Sequence, residues 1–244
     1  MNSNQLASSF IFINSADRKY GSSSDFEVSI KDLDATNNSK NISIGELVIP
    51  FSFFATVNEN NNTFLINSLP VTLAFGNYTS ADFITEITSK LQAATSDTFT
   101  CQVIRSTNQL KIAATSSTDY TITSNQKNYR YLGMNKSSTK AFSGNTFTSD
   151  FPIDLSGTKY IEIVTNIPIA STNSRDNNRN ILTRVYVNCN PFEFIHYTSS
   201  SFQFMKLLTK TLDSISIRLN DDFGDKIDLN NGEIHMMLEV QEYT

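Results

Sequence analysis

The chain has 244 residues, 39% hydrophobic and only 18% charged, with a net charge of −5 and a pI near 5.0. That length allows one large all-β domain or two small ones with a real core, and eight Gly and five Pro exclude a disordered or collagenous chain. No Lys/Arg run is present, which argues against nucleic acid as a partner.

The N-terminus MNSNQLASSFIFIN lacks the basic start and long apolar run of a secretory signal. The longest apolar stretch, LVIPFSFFATV at 47–57, contains Pro50 and is too short to cross a bilayer. The expectation is therefore a soluble chain made in a cytosol, without a membrane span. Asn-x-Ser/Thr triplets at Asn41, Asn61 and Asn77 are what an Asn/Ser/Thr-rich sequence produces by chance.

FIFIN (10–14) and DFEVSI (25–30) read as strands around the charged stretch ADRKYGSSSD. This stretch has one glycine, no P-loop lysine and no following helix, so it lacks the geometry of an anion cradle. Two readings of Asp17, Arg18 and Asp25 stay open. They pair or hydrogen-bond across a turn joining two strands near a sheet edge, worth about a kcal/mol or less if exposed. Alternatively they contact a neighbouring subunit, with Arg18 as the fork-shaped donor.

Residues 40–57 form a long β-rich segment bent at Pro50, NENNN is a loop, and TFLIN (63–67) is a short strand. The texture then changes. After Gly76-Asn77, Thr79 or Ser80 caps a helix whose stripe is Phe83, Ile87 and Leu91, with Glu86 and Lys90 paired on the opposite face. FTCQVI (99–104) and QLKIAA (109–114) form a hairpin, YTIT (120–123) a strand, and YRYLGMN (129–135) a structured turn. Residues 137–150 are polar and read as a linker. Strand patterns return at 160–167, 181–188, 192–198, 202–208 and 214–219. KIDL (226–229), an NNG turn and EIHMMLEV (233–240) complete a terminal hairpin.

The flanks thus resemble two halves of one β-sandwich, and the middle carries its own helix. The reading is a mainly β chain: residues 1–67 and 149–244 form one sandwich, and an α+β subdomain at 68–148 is inserted between them.

Chemistry-bearing motifs are lacking. There is no GxGxxG, Walker motif, HExxH or GxSxG. The DFG at 222–224 has no kinase context and reads as a turn. A zinc site would require His196, His235, Cys101 and Cys189 to converge, so the histidines read as structural and the cysteines as buried thiols, with a single bridge left open. Asp221, Asp222, Asp225 and Asp228 cluster around the turn, where Asp accepts backbone hydrogen bonds. Glycosidase chemistry and calcium binding are the minor alternatives there. No enzyme activity and no cofactor are expected.

The order of these features resembles the minor capsid, or penton, proteins of virophages and Polinton-like viruses. The matching elements are Asp17, Arg18, Gly21, Ser22–Ser24 and Phe26; Gly76, Asn77 and Tyr78 before the helix; Leu132 and Gly133; and Ile217, Asp221, Gly224, Asp228, Asn231 and Gly232. The resemblance implies a single jelly roll with an inserted subdomain. It further implies a homopentamer at the five-fold vertices of an icosahedral virion, assembled in an infected cell beside double-jelly-roll major capsid proteins. A host receptor or giant-virus surface is the further candidate partner, met through the insertion. The rival readings are a trimeric fibre or lectin-like receptor-binding protein and, more remotely, a carbohydrate-active sandwich.

Overall fold

The structure is a computed structural model and describes residues 5–33, 39–116, 119–169, 171, 180–199, 204–209 and 212–243. In chain order the elements begin with β1 (Gln5–Asn14), a single 3-10 turn (Ser15–Asp17), β2 (Tyr20–Ser22), β3 (Asp25–Leu33) and β4 (Ser39–Pro50). There follow β5 (Thr63–Ile66), β6 (Leu69–Thr72), α1 (Ser80–Thr95), β7 (Phe99–Ile104), β8 (Gln109–Ala114) and β9 (Thr121–Thr123). Next are α2 (Tyr129–Leu132), β10 (Thr139–Ala141), β11 (Thr146–Pro152), β12 (Tyr160–Thr165) and β13 (Ile181–Tyr186). The last are β14 (Phe194–Thr198), β15 (Met205–Lys206), β16 (Leu212–Asn220) and β17 (His235–Tyr243).

Two compact units result, one from Met1–Phe53 with Thr158–Thr244 and the other from Phe54–Gly157. The expected boundaries at 68 and 148 lie inside the second unit. β5 belongs there because it pairs with β6 and β9, and β11 because it pairs with β8. The segment 137–150, read as a linker, instead supplies β10 and most of β11. Phe142 and Phe147 anchor it in the core, and its Ser/Thr content is as compatible with strands as with loops.

The first unit holds two antiparallel sheets. One has the order β1-β17-β4-β14 with β15 also on β4, and the other is β13-β12-β16-β3-β2. The chain visits them alternately: β1 first, β3 second, β4 first, β12 and β13 second, β14 first, β16 second, β17 first. This is a jelly roll, in which the chain crosses repeatedly between two sheets over one core. The terminal strands are therefore not a hairpin, because β16 and β17 belong to different sheets. The turn at 229–232, closed by Gly232 N–H to the Leu229 carbonyl at 2.8 Å with left-handed Asn230 and Asn231, carries the chain across. Among the described residues KIDL forms no strand, and its pairing is the isolated bridge Asn220–Lys226.

β4 illustrates how sequence and sheet are reconciled. Ile42 and Ile44 are buried, and so are Leu47 and Ile49, so the inward parity changes within one strand. A strand alternates faces strictly, so one extra residue must be accommodated. The bulge does this: Leu238 of β17 faces Ile44 while Met237 faces Glu46, leaving Gly45 unopposed.

The second unit has two sheets, β10-β9-β5-β6 and β11-β8-β7, and the helix α1. Phe83, Ile87 and Leu91 are fully buried in a core shared with Phe64, Leu110, Ile112 and Phe147. Thr79 caps α1, its hydroxyl accepting the Asp82 N–H at 3.2 Å, and Lys90 lies 3.7 Å from Glu86. Every member of this core lies within Phe54–Gly157. Expressed alone, that segment is expected to unfold in one cooperative thermal transition.

Within it, Gly133 and Gly144 have the same left-handed φ of +61°, but a Cβ on Gly133 would lie 2.3 Å from the Phe151 carbonyl whereas one on Gly144 meets nothing within 4 Å. Gly144→Ala should cost about 1 kcal/mol and Gly133→Ala about 3 kcal/mol or more in urea denaturation.

Candidate functional site

The opening loop is a corner between sheets. Asn14 caps the 3-10 turn by accepting the Ala16 N–H at 2.9 Å. The Ser15 hydroxyl donates to Glu233 and accepts the Ile234 N–H at 2.9 Å. Arg18 donates to the Ser15 carbonyl at 2.8 Å and to both Glu233 oxygens at 3.0 and 3.2 Å. The Ser15 hydrogen bond, with Arg18 adding to it and partial burial opposing, holds Glu233 below the usual carboxylate range. Next, β2 folds back on β3 through Ser23 and Ser24, and position 21 requires glycine because its φ is +95° and a Cβ there would lie 2.0 Å from the Asp25 carbonyl.

Asp17, Arg18 and Asp25 accordingly do not pair with one another. Arg18 joins Glu233, just before β17, and Asp25 joins Arg218 of β16 at 3.1 Å. Both partners are some 200 residues away in sequence, so only the topology brings them close. Asp17 makes no ion pair or side-chain hydrogen bond among the described residues and is exposed.

It lines a shallow pocket of about 260 Å³ on the outward face of the first sheet, together with Phe12, Asn14, Glu46, Val48, His235 and Met237. Strand register assembles this surface, with Phe12 opposite Met237 and Met237 opposite Glu46. Phe10, Phe12 and Phe194 are 52%, 78% and 57% exposed on the same face. Sequence reading found the strand FIFIN but not which of its faces lies open, and the alternation Phe-Ile-Phe-Ile is equally apolar on both.

The outward face of the second sheet differs. Arg184 binds fully buried Glu162 at 2.8 Å and lies 4.9 Å from the Tyr160 ring centre, and Tyr186 is exposed beside it.

The acidic turn serves the backbone. Asp221 accepts N–H groups of Phe223 at 2.9 Å and Asp225 at 2.8 Å, and Asp228 accepts that of Asn230 at 2.9 Å. Burial pushes Asp221 up to about 6 despite the backbone hydrogen bonds. Among the described residues no three His, Cys, Asp or Glu side chains are grouped to hold a metal. Cys101 and Cys189 are both free thiols; Cys101 is buried, which pushes it up to about 11, and Cys189 is only partly so. No described helix is long and apolar enough to cross a membrane.

The other resembling motifs also hold turns. The Asn77 amide oxygen accepts the Ala55 N–H at 2.6 Å, the Tyr78 hydroxyl donates to the Ala74 carbonyl at 2.7 Å, and Gly133 ends α2.

No protein-family model matches the sequence, and no curated protein matches it. Among solved structures, the mavirus penton protein is similar at a TM-score of 0.52 and 13% identity, covering 97% of this chain and 100% of that one. A chain in the Sputnik virophage structure aligns at a TM-score of 0.48 and 13% identity, covering 97% of each. The resemblance to penton proteins is thereby borne out at the level of the fold.

Two outcomes follow from this geometry. Arg18→Ala is expected to lower stability by about 1 kcal/mol at pH 7. Because Glu233 is depressed in the folded state, its contribution is present above the ordinary carboxylate range and lost as pH falls through its lowered value. The gap between wild type and Arg18→Ala should thus narrow in urea titrations at strongly acid pH. Asp221 has the opposite sign: its raised value favours the fold below 3.8 and that contribution is lost as pH rises through about 6. Asp221→Asn, neutral throughout, should gain on wild type by up to about 3 kcal/mol between pH 4 and pH 7.

Proposed function

We propose that this chain is a non-enzymatic structural protein of a viral capsid, forming homopentamers at the five-fold vertices beside double-jelly-roll major capsid proteins. The observation that carries the reading is the fold it shares with the mavirus penton protein over nearly the full length of both chains. The topology suits the role. Two sheets folded over one core keep most strand edges paired and leave outward faces for contacts, and a cyclic ring needs two different complementary patches on each copy. Surfaces rich in uncharged polar and aromatic side chains suit such contacts better than dense charge.

In this reading the protein resides at the vertex of a virion assembled in the infected cell. Of the three opening-loop residues, Asp17 is the subunit contact, while Arg18 and Asp25 shape the loop through Glu233 and Arg218. The unit Phe54–Gly157, with exposed Phe54, Phe75, Leu65 and Leu69, is the candidate surface for a host receptor or giant-virus surface.

Native mass spectrometry of the purified chain is the test. A species of five 27.3 kDa protomers is expected. A trimer would favour a fibre, and a monomer at micromolar concentration would overturn the ring.

A further inference from the structure

β1 is an edge strand: it pairs with β17 on one side, and no described strand pairs with it on the other. Its ten residues, QLASSFIFIN, contain no charge and no proline, two of the devices by which folded proteins keep open edges from associating. Instead Phe10 and Phe12 stand largely exposed. Such an edge is protected when something covers it in the working assembly.

The adjoining pocket indicates the chemistry of the cover. Phe12, Val48 and Met237 give it apolar walls, Asn14 and His235 line it as well, and the carboxylates of Asp17 and Glu46 stand at its rim. Neither carboxylate has an ion pair or side-chain hydrogen bond among the described residues. Two open acids in an apolar rim complement a cation on an aliphatic stem, which buries its methylenes while its head meets the carboxylates. Arginine fits best, because its planar fork can serve two acceptors and is weakly hydrated.

The same unit presents arginines on its other outward face. The side chains of Arg218 and Arg184 are 55% and 44% exposed, so each keeps donor capacity beyond its internal carboxylate. One sandwich thus carries an acid-and-apolar face and an arginine-and-tyrosine face, the two unlike patches that a head-to-tail ring requires.

We infer that the β1 rim is the seat for a second copy of this chain, receiving the arginine-bearing outward face of the neighbour's second sheet. Phe12, Val48 and Met237 make the apolar contact, and Asp17 and Glu46 accept from the incoming guanidinium groups. The inference rests on the ring-forming reading and adds which surfaces meet.

The test uses the full-length chain with native mass spectrometry and sedimentation, on wild type, Phe12→Glu, Glu46→Arg, Arg218→Ala and the control Phe75→Glu. All four substituted positions are at least partly exposed. Circular dichroism and thermal unfolding establish that each variant is folded. Phe12→Glu, Glu46→Arg and Arg218→Ala should each weaken assembly at least tenfold, and Phe75→Glu should assemble like wild type. If Phe12→Glu does not fold, Glu46→Arg and Arg218→Ala decide.

A wild-type pentamer that persists in Glu46→Arg would overturn the seat while leaving the ring reading intact. Loss of assembly in Glu46→Arg but not in Arg218→Ala would overturn the arginine face as occupant. Equal loss in Phe75→Glu would overturn the assignment to this surface. A wild type that does not form a ring would overturn both readings.

Discussion

The pairing of the first strand with the last is the constraint on which the jelly roll depends. β17 lies between β1 and β4 and is hydrogen-bonded to both along its length, so the C-terminal strand is central to a sheet begun by the N-terminal one. Contacts of such sequence separation carry a large loop-closure cost, and their gain arrives only when the whole sheet is formed. The corner at Ser15, Arg18 and Glu233 reinforces the junction, tying the end of β1 to the start of β17 with a charged pair and a shared serine hydroxyl. A chain closed this way can accommodate a long excursion between β4 and β12, because neither strand depends on that excursion for its hydrogen bonds.

The excursion has its own solution to the same physical problem. Its core is organised by α1 lying against short sheets, and its entry and exit are stitched within the unit itself. Thr56 donates to the Leu155 carbonyl at 2.9 Å, and Gly157, at φ +69°, passes so close to Ala55 that a Cβ would lie 2.4 Å from its backbone. A segment whose ends meet can be accommodated in a surface connection at little cost to its host.

Polar residues that looked chemical turn out to organise backbone. Asp221 and Asp228 accept N–H groups at a sheet-crossing turn, and Asn77 ties the entry of the second unit to the residues ahead of its helix. The resemblance to penton proteins rests on such positions. Turns tolerate few residue types, whereas strand faces accept any side chain of suitable size and polarity.

Much of this was legible in the chain itself. A helix carrying the Phe83–Ile87–Leu91 stripe follows from spacing alone, since an α-helix is built from contacts three and four residues apart, whereas the choice of Thr79 over Ser80 as its cap was left to the structure. The β character of the flanks likewise follows from local alternation. Tertiary structure decided everything that depends on partners distant in sequence. It sent β16 and β17 to different sheets, made strands of 139–141 and 146–152, and gave Arg18 and Asp25 the partners Glu233 and Arg218. It also decided which face of FIFIN stays open, because two equally apolar faces can be told apart only by what the rest of the chain lays against one of them.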